Sequence, residues 1–286
     1  MQNRFLSWLT IGAVAGIVAA PCAQANIMFY DLFEVQSYSQ ASNNAAPTTP
    51  VGYNGFAVIN ASAGDLTGGN VTSTSPLSPM ALTGSNGNYS FGIGVSTLAA
   101  LQADFPDNAA YTFHVTGGTF NGQTAGLTTP AADAYSAAVP YLTGNSFNSL
   151  QGLNSTLTDS VTFDSYSTPA GVNTPLTFFQ ITRVSDNATV FSTSGSNTLT
   201  SVLLPANTLT PGTQYDLDVV FSSRLVIDNA GFGSATSFVA FDRRTDVLFT
   251  TESAAVASPE PSTILSAAIG TLLLVLCASI RMRRTA

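Results

Sequence analysis

Lysine is absent from the 286 residues, histidine occurs once, at 114, and cysteine twice, at 22 and 277. Each shortage removes a class of chemistry. Without lysine there is no Schiff-base amine and no ammonium to cradle a phosphate. With one histidine and no cysteine between residues 26 and 261, the usual zinc sites and the Cys-His nucleophile pair have too few members. A disulfide within the body is excluded too, so the body folds by burial alone. All eight basic residues are arginine, and Arg4, Arg281, Arg283 and Arg284 lie at the ends, leaving Arg183, Arg224, Arg243 and Arg244 for everything between. Phosphate backbones need clustered cations, so nucleic acid is not an expected partner.

Charged residues make up 8% of the chain and the net charge is −8, whereas hydrophobic residues make up 45%. The polar remainder is largely Ser, Thr, Asn and Gly, with 23 Gly and 14 Pro. β-Branched side chains suit a pleated surface, and Gly, Pro and Asn supply turns. An all-β body follows.

The ends read as addresses. Arg4, an apolar run from Trp8 to Ala20, and Ala23-Gln24-Ala25 form the three parts of a secretory leader, so residues 1–25 are expected to be a signal peptide cleaved after Ala25. A lipidated Cys22 is set aside because Pro21 precedes it. Ser262 to Ile280 carries no charge. As a helix it is about 28 Å long, enough for a bilayer's hydrocarbon core. Arg281, Arg283 and Arg284 follow as a basic cytoplasmic tail over 281–286, which leaves the body outside. Just before the helix, in a linker over 252–261, stands Pro259-Glu260-Pro261.

That order of Pro-Glu-Pro, apolar helix and arginine-rich end resembles the PEP-CTERM sorting signal of exopolysaccharide-producing Gram-negative bacteria. The resemblance covers residues 257–284 and departs from the family at Ser258, where Val is common. It implies Sec export, an exosortase partner, at least transient anchoring in the inner membrane, and delivery to the cell surface or an exopolysaccharide or biofilm matrix.

In the body, Tyr215, Leu217, Val219 and Phe221 alternate with Asp216 and Asp218, which predicts a strand with an apolar core face and solvated aspartates. Leu209-Thr210-Pro211-Gly212-Thr213-Gln214-Tyr215 resembles the tyrosine corner of fibronectin type III and other immunoglobulin-like sandwiches, with Leu209 plugging the core and the Tyr215 hydroxyl meeting a backbone group. Further strands are expected at 159–164, 177–184, 189–193, 198–204, 238–243 and 246–250, giving a module over 128–251. Phe105 stands before Tyr111 as Leu209 stands before Tyr215, which suggests a first module over 26–127. Its strands are expected near 26–35, 55–60 and 88–95, with a helical turn within 95–104. One merged sandwich is the alternative.

Chemistry is sparse. Alternation puts His114 opposite Tyr111, Phe113 and Val115, as an exposed strand residue. Asp216 and Asp218 are the one acid pair on a shared strand face, a minimal basis for cation binding or for a hydrolase. No cofactor is expected, calcium excepted: Asp104-Phe105-Pro106-Asp107-Asn108 and Asp228-Asn229-Ala230-Gly231 are oxygen-rich turns of the kind that extracellular β modules use. Tyr135, Tyr141 and Tyr166 are candidates for stacking on sugars, with core packing the simpler role. Three readings stand: a non-enzymatic surface or matrix protein, a carbohydrate-binding or adhesive module, and a hydrolase using paired aspartates.

Overall fold

A computed structural model of the chain describes residues 27–227, 231–233 and 235–253. Its organising strand is β1 (Ile27–Ser39), which alternates Tyr30, Leu32, Glu34, Gln36 and Tyr38 with Asp31, Phe33, Val35 and Ser37. β1 pairs antiparallel with β2 (Gly52–Ala61) and parallel with the last strand, β13 (Thr236–Thr250). β13 pairs with β12 (Gln214–Ile227), β12 with β9 (Thr174–Arg183), and β9 with the edge strand β10 (Thr189–Ser196). In the other direction β2 leads to β5 (Asn88–Val95), β4 (Met80–Ser85), β3 (Gly68–Thr72), β6 (Ala110–Thr116) and β7 (Thr124–Thr128). The result is an 11-stranded sheet, and β8 (Asp159–Thr162) pairs with β11 (Ser201–Leu204) as a separate two-stranded ribbon. The fold is all-β, with two short helices, α1 (Leu98–Asp104) and α2 (Ser146–Leu150).

Strand register places two hydrophobic cores on one face of this sheet. Tyr30, Leu32, Val239 and Phe241 belong to the first core, and Leu217, Val219, Phe221, Val247 and Phe249 to the second, all in phase across β1, β13 and β12. The sheet curls so that β6 and β7 cover the first core, with Phe113 of β6 edge-on to Tyr30 at 5.4 Å. The β8–β11 ribbon and α2 cover the second, where Phe163 stacks on Phe179 at 6.1 Å. The two cores do not divide at residue 127: the first also takes Phe232, Ala235, Val239 and Phe241 from the end of the body, the sheet runs on through both, and the described residues up to Glu252 belong to one compact unit.

Both corner sequences take the expected form. The Thr210 N–H donates to the Tyr215 hydroxyl at 2.8 Å, beside a buried Leu209. The Tyr111 hydroxyl donates to the Pro106 carbonyl at 3.4 Å, with Phe105 stacked on its ring at 6.3 Å. The helical turn forms as α1, its N-terminus capped by Thr97 Oγ1, which accepts from the Ala100 N–H at 3.2 Å. The strands expected at 238–243 and 246–250 are one strand. Arg244, which reads as a break, sits opposite Val220 in the ladder and is neutralised by Asp218, so pairing continues through it.

Two further expectations meet different geometry or lie elsewhere. Among the described residues no helix is long and apolar enough to cross a membrane, and the expected helix at 262–280 lies outside them. The leader, its site at Ala23 and Ala25, the motif Pro259, Glu260 and Pro261, and Arg281, Arg283 and Arg284 lie outside them as well.

Candidate metal centre

Period-2 alternation carries β1 past the apolar pair Tyr30 and Leu32 and puts Glu34 on the same core-bearing face. Glu34 is only 1% exposed. Two loops bring further acids to it. Asp107 follows α1 in the turn Phe105-Pro106-Asp107-Asn108, where Asn108 takes a positive φ of 50°. Asp133 lies in the connector of residues 129–145, which leads from β7 to α2. One carboxylate oxygen from each of Glu34, Asp107 and Asp133 lies within 4.8 Å of the others.

Two of the bonds that fix the loops do not involve these acids. The Asn108 N–H donates to the Pro130 carbonyl at 2.8 Å, and Thr129 Oγ1 donates to the Pro106 carbonyl at 3.0 Å, lacing the two segments together. Gln102 of α1 donates through Nε2 to Asp133 Oδ2 at 3.2 Å. The inward oxygens Glu34 Oε2, Asp107 Oδ1 and Asp133 Oδ1 are buried and receive no hydrogen bond from the described residues. Burial pushes the Glu34 carboxyl up to about 9, helped by the charges of Asp133 and Asp107 and opposed by the adjacent Tyr135 hydroxyl. Burial and the neighbouring Asp107 likewise push Asp133 up to about 6. The Tyr135 and Tyr111 hydroxyls are raised by burial and by Glu34. Three acids share one buried space, and as anions they require a counter-charge there.

Asp216 and Asp218, the expected solvated pair, are a correction. Asp218 is 1% and Asp216 7% exposed. β12 is a central strand, and on the face away from the cores Asp216 is flanked by Thr182 of β9 and Leu248 of β13, and Asp218 by Gln180 and Asp246. Arg244 holds Asp218 through Nε at 2.7 Å and through its terminal nitrogen at 2.6 Å, and pairs with Asp246 at 2.5 Å. Burial raises the Asp218 carboxyl and Arg244 opposes it; burial would lower the Arg244 guanidinium, but Asp218, Asp246 and Asp216 together raise it. On the same face the Arg224 guanidinium lies 4.4 Å from the Phe238 ring centroid and 5.0 Å from that of Phe178. Asp31 accepts the Phe238 N–H at 3.0 Å. The pair that offered a hydrolase its acids is committed to a packed ion network, out of a sugar's reach.

The remaining candidates take structural places. His114 is half-buried on the side of β6 opposite Tyr111 and Phe113, with a ring nitrogen 3.0 Å from Thr72 Oγ1. Tyr166 packs edge-on to Phe221 at 5.3 Å and shares a 2.7 Å hydrogen bond with Ser223 Oγ; Tyr135 packs on Phe241 at 5.4 Å. Tyr141 is half-buried beside the bridge between Leu142 and Phe163. Of the two oxygen-rich turns, the first supplies Asp107, and most of the second, from Asp228 to Ala230, lies outside the described residues. Sequence reasoning missed Glu34 and Asp133. Glu34 carried a signal, an acid in phase with core residues; Asp133 carried none.

Fold and site together define an all-β protein with two cores on one sheet and an acidic cluster between a strand and two loops. No protein-family profile matches the chain, and no curated protein matches it. Among solved structures it is similar to the FN1-FN3 domains of chicken CNTN1, at 11% identity and a TM-score of 0.26, covering 80% of this chain and 68% of that one. It is also similar to the BSP domain of a biofilm associated protein, at 11% identity and a TM-score of 0.21, covering 82% of this chain and 30% of that one.

Proposed function

We propose that this chain is a non-enzymatic protein of the cell surface or extracellular matrix, exported through Sec and sorted by an exosortase. One observation carries the reading: an uncharged segment from Ser262 to Ile280, preceded at once by Pro259-Glu260-Pro261 and closed by Arg281, Arg283 and Arg284, in a chain whose residues 1–25 have the composition of a secretory leader. The body between these signals suits the role. It is stapled by no disulfide, and the acids that sequence offered for hydrolysis serve packing. Its two tyrosine corners favour immunoglobulin-like layering over each core. The exopolysaccharide or biofilm matrix is the destination that the sorting signal implies.

The test is genetic. In the native host, replacing Glu260 by Ala, or deleting the exosortase, should strand the protein in the inner membrane and empty the matrix fraction of it. An unchanged distribution in both backgrounds would refute the sorting route.

A further inference from the structure

We propose that Glu34, Asp107 and Asp133 bind a calcium ion that clasps the loop after α1 and the connector of residues 129–145 onto β1. Carboxylates gathered in one place are common without a metal, so the argument rests on what surrounds them. Glu34 is 1% exposed, its buried Oε2 receives no hydrogen bond within normal geometry from the described residues, and one of its carboxylate oxygens lies within 4.8 Å of those of both aspartates. A buried carboxylate normally takes two or more donors or a paired cation. Around Glu34 the structure supplies a single hydroxyl, that of Tyr135, and two more carboxylates.

Asp133 is held from its other side. Gln102 Nε2 donates to Asp133 Oδ2 at 3.2 Å and leaves the buried Oδ1 without a donor, the arrangement by which an outer neighbour holds a metal ligand. The Asn108–Pro130 and Thr129–Pro106 bonds hold both loops against each other, so the fold brings the three acids together against their mutual repulsion.

The donor set selects the ion. Three carboxylate oxygens are hard ligands, and the chain's one histidine is engaged with Thr72 on the outer side of β6, so a zinc or copper site is excluded here. Oxygens within 4.8 Å of one another fit around an ion whose Ca–O bonds are about 2.3 to 2.6 Å. Ligands from a strand and two loops suit calcium's irregular shell better than magnesium's strict octahedron, and water completes the coordination. Extracellular modules of this kind bind at about 10⁻⁴ to 10⁻³ M.

The position of the site gives the ion a structural consequence. The connector runs from the first core, where Ala134 and Tyr135 pack, to the second, where Ala138 packs. It is held at its far end by Gln40, whose Oε1 accepts the Leu142 N–H at 2.7 Å. Calcium at Asp133 fixes the near end. The ion therefore tightens the strap that joins the two cores, and it does so only where calcium is abundant, outside the cell.

Isothermal titration of the EDTA-treated full chain with calcium, paired with thermal unfolding, tests this. One ion per chain should bind, and about 10 mM calcium should raise the unfolding midpoint while equal magnesium raises it much less. Glu34→Gln and Asp133→Asn should fold without calcium yet bind it about tenfold more weakly or worse, and Asp186→Asn, on an exposed turn, should bind as the parent does. A folded parent chain that takes up no calcium at that concentration would overturn the proposal. So would undiminished affinity in both ligand variants, or an equal response to magnesium.

Discussion

The Tyr215 hydroxyl accepts one backbone N–H, that of Thr210, at the partly exposed corner beside Leu209. Tyr215→Phe keeps the ring on Phe249, 5.6 Å away, but removes the acceptor of the Thr210 N–H, at a cost of about 0.5 to 1.5 kcal/mol in urea unfolding. Tyr111→Phe should cost less, because its 3.4 Å bond to Pro106 is long. Arg244 makes a harsher case. Arg244→Met leaves Asp218 buried beside Asp246 without its cation and should cost about 3 to 5 kcal/mol, whereas adding Asp218→Leu to it should recover much of the loss. Failure of that rescue would show that Arg244 acts through packing alone. Titration follows the same logic. Burial raises Asp242 from 3.8 to about 6, so between those values the folded chain keeps a proton that the unfolded chain releases. Stability therefore falls as pH rises through that window, and in calcium-free protein Glu34 continues the fall towards about 9. Urea midpoints across this pH range should trace the decline, and Asp242→Asn should flatten its lower part.

At the scale of elements, Gly55 on β2 is the tightest point between strand and helix. A Cβ there would come within 2.5 Å of the buried Phe105 ring and 3.0 Å of Leu101 of α1. Gly55→Ala should thus cost about 1 to 3 kcal/mol through overpacking, and pairing it with Phe105→Leu should cost less than the separate effects added together. Elements with strong alternation were legible from sequence, β12 and the two tyrosine corners above all, because a period of two and a Pro-Gly turn are local properties. β3, β4 and β7 were not, since runs such as Gly68-Gly69-Asn70-Val71-Thr72 have few side chains to alternate. The outer face of β12 shows a different limit. Alternation separates two faces but says nothing about what lies over the second, and so the aspartates there read as solvated. The acidic cluster was half legible: the Asp107 turn is oxygen-rich by composition, but its meeting with Glu34 and Asp133 depends on long-range pairing that no local pattern records.

For the whole molecule, the parallel pairing of β1 with β13 joins the two ends of the body, and both cores rest on these strands and β12. The body should unfold in one transition. Phe179→Leu in the second core should accelerate hydrogen exchange in β6, over the first core, as much as in β9; a protected β6 would mean that the cores open separately. A body of this kind suits the exported protein proposed above, for which the two ends of the sequence would supply the route. Mass spectrometry of the protein from intact, fractionated host cells tests that account most directly. It predicts a mature N-terminus at Asn26 and a body that added protease reaches without lysis. Recovery of the full-length chain from the cytoplasm, with residues 1–25 attached and shielded from protease, would contradict it.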